Sequence, residues 1–154
     1  WKATPRRRSS EAATSAQAAL DLCEKGAAKE AAAVGVLVKL SQAFSVLQKG
    51  DEAAKVAEEA VSVAKGLPSK RAQCDALNQL AIASVAQGKP DVALAKVEEA
   101  LACAEDAAAR RAVMQTKISV YIANKQKPEA RAAAQEAAKL FREAKDAKGE
   151  ASAQ

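Results

Sequence analysis

Four times along this chain two alanines stand seven residues apart: Ala12 and Ala19, Ala53 and Ala60, Ala93 and Ala100, Ala130 and Ala137. The pairs recur at steps of 41, 40 and 37 residues, and the second and third share an ending, Glu58-Glu59-Ala60-Val61 and Glu98-Glu99-Ala100-Leu101. At about 3.6 residues per helical turn, seven residues bring both alanines to one face. Two small side chains stacked there let a second helix approach closely. A unit of this length cannot bury its apolar face alone, so it must stack on its neighbours. The chain is therefore expected to be a short array of helical hairpins, with all-α structure throughout.

Composition agrees. Roughly a quarter of the residues are Ala, and aromatic residues make up only 3% of the chain, which favours helix over strand. Gly and Pro fall at intervals that punctuate helices: Gly66-Leu67-Pro68-Ser69 and Gly88-Lys89-Pro90-Asp91 put Gly after a helix end and Pro or an acid at the next start. Lys127-Pro128-Glu129 does the same without Gly. Helices are expected at about 10–25, 29–48, 51–65, 70–87, 90–105, 108–126 and 128–146. In units, this is a basic arm over 1–9, an array over 10–148 (a half repeat 10–25, then pairs 29–65, 70–105 and 108–146), and a tail or start of a further repeat over 149–154.

Several function classes are disfavoured. The formal charge is +5, but Lys2, Arg6, Arg7 and Arg8 supply four of it, and Lys and Arg elsewhere alternate with Glu and Asp. A nucleic-acid binder concentrates basic charge on its folded part, so no nucleic-acid partner is expected. The three cysteines, Cys23, Cys74 and Cys103, are widely spaced and there is no His, so neither a disulfide framework nor a zinc site is expected. Reduced thiols in a reducing compartment are the expectation. The opening residues faintly resemble the end of an organellar transit peptide, although a plain arm is preferred. No apolar run approaches the roughly 20 residues a membrane span needs. Without His, and with acids and bases spread along ordinary helix faces, no catalytic constellation stands out. Gly26, Gly66 and Gly88 occur singly, so no phosphate loop is formed and no cofactor is expected.

Leu77, Leu80, Ala81 and Ser84, followed by Ala93, Val97 and Ala100, resemble the signature of the tetratricopeptide repeat family in type and spacing. Leu37, Leu40, Ser41 and Phe44, followed by Ala53, Ala57 and Ala60, fit it as well. The run Ala76–Ala81 and the closing Leu140–Ala151 are similar to the long 40-residue repeats of kinesin light chains and G-protein-signalling modulators. In the third pair Met114 and Tyr121 fit, but Lys117 and Ile118 stand at the Leu and small positions, so its helix is expected to be rotated or shifted in register.

The resemblance implies a right-handed α-α superhelix of about seven helices in which the first helix of each pair lines a concave groove. Its groove positions here are Val38, Gln42 and Ser45, then Asn78, Ile82 and Val85, then Gln115, Ser119 and Ile122. None is charged, which disfavours the terminal-carboxylate clamp of chaperone-docking members. Asn78 resembles the Asn that holds the backbone of an extended peptide, its amide both donating and accepting. The expected function is a non-enzymatic scaffold that binds an extended neutral or mildly apolar peptide of another protein. The alternative is a permanent subunit of a larger assembly, packed through its convex face and helix ends. The abundance of Ala in the core positions favours that alternative, because an isolated array of this kind is expected to be marginally stable.

Overall fold

The computed structural model describes Thr14 and residues 27–152. The expected arm, the half repeat over 10–25 with Ala12 and Ala19, and Cys23 lie outside the described residues. Within them the chain forms helices α1 (Ala27–Val46), α2 (Gly50–Lys65), α3 (Lys70–Ala86), α4 (Pro90–Cys103), α5 (Ala107–Ala123) and α6 (Lys127–Ser152), with no strand among the described residues. Each expected helix after residue 27 is present to within a few residues at its start. The last one runs on to Ser152.

The repeat is written into the backbone. At the ends of α1, α3 and α5 the same turn recurs around Gln48 (φ 58°), Gly88 (φ 75°) and Lys125 (φ 59°), at the same steps of 40 and 37 residues as the alanine pairs. In each, the left-handed residue donates its N–H to the carbonyl three back, and the next residue donates to the carbonyl five back: Lys49 to Phe44, Lys89 to Ser84 and Gln126 to Tyr121, each at 2.9 Å. This is the paired bonding of a Schellman stop, which satisfies carbonyls a helix end would leave bare. Glycine takes this conformation freely, whereas Gln48 and Lys125 take it against Cβ sterics.

The other connections are also alike. Ser69 and Asp106 cap α3 and α5, accepting from Ala72 N at 3.2 Å and Ala109 N at 2.6 Å. Four residues beyond each cap, a side chain returns to the loop: Gln73 Nε2 donates to Leu67 O and Arg110 Nη2 to Ala104 O. Leu67 and Ala104 are themselves buried, so the loops are fastened from both sides.

Each helix packs on its chain neighbours. α1, α3 and α5 also touch one another in a row, whereas α2, α4 and α6 make no mutual contact. One apolar core runs from Val34 to Val120 beneath that row. The described alanine pairs lie in it or at its edge: Ala53, Ala60, Ala93 and Ala100 are fully buried, and Ala130 and Ala137 are buried against α5, the only helix that α6 contacts.

The third pair is neither rotated nor shifted. Val113, Met114, Thr116 and Val120 are buried where Ala76, Leu77, Gln79 and Ala83 are buried one unit earlier, and the caps keep the same 37-residue step. Larger side chains at Val113 and Val120 replace alanines. Lys117, standing where Leu80 does, turns its ammonium to Glu98 of α4 at 2.9 Å. Burial disfavours its charge, but the hydrogen bond and charge of Glu98 prevail and raise its pKa.

Candidate functional site

The row α1, α3 and α5 presents one long face. Two cross-links tie its helices side by side: Gln79 Nε2 of α3 reaches Ser41 Oγ of α1 at 3.1 Å, and Arg71 at the start of α3 reaches Asp106 at the start of α5 at 2.8 Å. A cleft of about 490 Å³ crosses this face near the helix starts. Equivalent positions line it in successive units: Gly35, Asp75 and Ala112, then Val38 with Asn78, then Lys39 with Gln79.

Of the nine expected groove residues, Val38, Gln42 and Asn78 line this cleft. The others do not, yet none of the nine is buried. Ser45 and Ser119 return their hydroxyls to the carbonyls of Ser41 and Gln115, one turn earlier on their own helices. Val85 rests half-buried on the core. Gln115 is exposed, and Ile82 (37% exposed) and Ile122 (62%) stand open towards the helix ends. The face is thus polar near the helix starts and apolar near the ends.

Arg71, Asp75 and Lys39 were not among the expected groove residues and change its character. Arg71 Nε spans both Asp75 oxygens at 3.2 and 3.0 Å, and its Nη1 holds Asp106. The hydrogen bonds it donates to Asp75 and then to Asp106 raise the Arg71 pKa. The Asp106 carboxyl is held below the ordinary carboxylate range, first by the Ala109 N–H it caps and then by Arg71. One guanidinium therefore ties the starts of α3 and α5 with two carboxylates. The signal lay in the sequence: Arg71 and Asp75 are an i,i+4 pair one turn before Asn78, at positions filled by Ala31 and Gly35 in the first unit and Ala108 and Ala112 in the third.

Beneath the cleft a buried polar chain joins three helices. Ser41 Oγ donates to Ala53 O of α2 at 2.8 Å and accepts from Gln79. Gln79 Oε1 and Asn78 Oδ1 are buried without a hydrogen-bond donor. An acceptor left so costs on the order of 1–3 kcal/mol.

A second, smaller cleft of about 280 Å³ lies on the opposite side, between α2 and α4 over α3. Val61, Leu77, Ala102 and Cys103 make it apolar, with Lys65 and Glu99 at its rims. Cys74 is buried and burial pushes its thiol up to about 11. Among the described residues no group of three or more His, Cys, Asp or Glu side chains could hold a metal ion, and no helix is long and apolar enough to cross a membrane.

Comparisons with protein-family models, with curated proteins and with solved structures find no match to this chain.

Proposed function

We propose that the chain is a non-enzymatic protein-binding scaffold of tetratricopeptide type, a right-handed superhelical array whose α1–α3–α5 row holds an extended segment of another protein. The observation that carries this reading is the cleft across the α1–α3–α5 row, where the Asn78 amide oxygen is buried in the lining without a partner. An extended backbone brings unpaired N–H groups, and such an acceptor is what they require. Ile82, Val85 and Ile122 give the rest of the segment a mildly apolar bed. No nucleic acid, membrane insertion or cofactor enters this reading.

A second reading, a permanent subunit packed through the α2–α4 side, is favoured by the apolar cleft there and by Val92, 46% exposed on α4. Photo-crosslinking separates the two. Benzoylphenylalanine at Gln42 or Gln115 should capture the partner, and at Ser62 or Ala102 should not. Asn78→Ala with Ile82→Glu should abolish capture while leaving helicity unchanged. Capture from Ser62 and Ala102 alone would overturn the peptide reading in favour of the assembly.

A further inference from the structure

The amide orientation of Gln79 is fixed. Ser41 has one hydroxyl hydrogen, which goes to Ala53 O, so its oxygen can only accept from Gln79, and the Gln79 group facing it must be the NH₂. Gln79 is 1% exposed and lines the cleft with its Oε1 unpartnered; Asn78 Oδ1, beside it in the chain, is unpartnered too. Both are acceptors awaiting donors.

Gly35 adds a second observation. It sits mid-helix in α1, where Ala would be the better helix former, yet a Cβ there would meet nothing within 4 Å. Packing among the described residues gives no reason for the glycine. Its missing side chain, with Ala31 and Ala112, leaves a small-walled gap in the lining that also holds Asp75. Asp75 is bound to Arg71 along one side only, and 44% of its side chain is exposed. Both Asp75 oxygens face the one Arg71 Nε and keep lone pairs it does not use, so this end of the cleft has acceptor capacity to spare.

We propose that this gap receives the side chain of an arginine or lysine in the bound segment, which donates to Asp75 and to the orphan oxygens of Asn78 and Gln79. This rests on the reading of the row as a peptide-holding face, and it adds one required basic residue to an otherwise neutral segment. Charge-assisted bonds to a partly desolvated carboxylate are the strong kind. Lys39, exposed on α1 and reaching Gln42 at 3.4 Å, opposes the incoming cation and moderates its affinity.

The test uses the full chain, ¹⁵N-labelled, titrated by NMR with three pools of acetylated, amidated nonapeptides alike except for Arg, Ala or Glu at the centre. The Arg pool should bind about tenfold more tightly than the Ala pool, a difference equal to about 1.4 kcal/mol, and should move the Gly35 amide and the Asn78 and Gln79 side-chain resonances. Asp75→Asn should erase the advantage of the Arg pool over the Ala pool. Gly35→Leu, whose Cβ has open space, should block the Arg pool without loss of helicity, and Lys39→Ala should strengthen Arg binding. Equal binding of the three pools, or preference for Glu, would overturn the basic-residue inference and leave the groove reading standing. If no pool moves any α1, α3 or α5 resonance, both fall.

Discussion

The junction between α2 and α3 is close and the equivalent one between α4 and α5 is sparse, although the same repeat builds both. At the first, Gly50 opens α2 so near the end of α3 that a Cβ would stand 2.7 Å from Ala86 O, and Gln87 Nε2 seals the approach on Asp51 Oδ1 at 2.9 Å. At the second, Pro90 takes the place of Gly50, and a Lys117–Glu98 ion pair spans the helices. Where most core side chains are alanine, the spacing of helices is set by single carbon atoms. A glycine admits contact between backbones, whereas a larger residue holds the helices apart and leaves room for a charged pair.

The most forceful way to break this contrast is Gly50→Ala. At a first-turn position that change is ordinarily harmless, but here the added methyl meets a backbone oxygen, and a loss of about 2 kcal/mol is expected, typical of overpacking. Pro90→Ala, the same site one unit on, should stay within about 0.5 kcal/mol. Urea unfolding followed by helicity measures both, and equal effects would refute the single-atom account.

The looser junction should respond in the opposite sense. Lys117→Met exchanges a half-buried ion pair for apolar contact and should stabilise by about 1 kcal/mol, since such pairs often yield to hydrophobic replacements. Glu98→Gln, which leaves the Lys117 ammonium without its counter-charge, should destabilise. Loss of stability in Lys117→Met would show that the pair, rather than the spacing, holds α5 in place.

The turns offer a comparable test. Lys125→Gly and Gln48→Gly should each stabilise by up to about 1 kcal/mol, the left-handed penalty less the entropy of glycine. Gly88→Ala should cost a similar amount. Thermal melts of the three variants check the equivalence of the turns.

The pH dependence of stability tests two further groups. Cys74 has its thiol raised from 9.0 to about 11, so the unfolded chain loses that proton first as pH rises. Its contribution is intact below pH 9 and is lost progressively between about 9 and 11, a slope that Cys74→Ala should remove. Asp106 behaves in the opposite way: its folded pKa is depressed, so its contribution is present above the ordinary value of 3.8 and lost as pH falls through the folded one. Asp106→Asn should flatten that acid limb, and Cys74 should alkylate far more slowly than Cys103 at pH 8 by peptide mapping.

The alanine pairs and the Gly and Pro signals made the helices and their order legible in the sequence, because both act locally. What they could not show depends on neighbours in space. Gln48 and Lys125 carry no glycine signal, and only the equivalence to Gly88 marks them as left-handed. Lys117 looked like a break in register because its partner, Glu98, lies on another helix. Asn78, Gln42 and Val38 were found through the resemblance, but Arg71, Asp75 and Gly35 were not, since that pattern assigns roles to positions and these positions differ from unit to unit. The polar chain from Gln79 through Ser41 to Ala53 was invisible for the same reason.

The central claim is that the α1–α3–α5 face holds the partner. Hydrogen exchange of the full chain, free and with the segment captured by crosslinking, tests it most directly. Protection should rise over residues 31–42 of α1 and 71–85 of α3, with α2 and α4 unchanged. Protection confined to α2 and α4 would contradict the account.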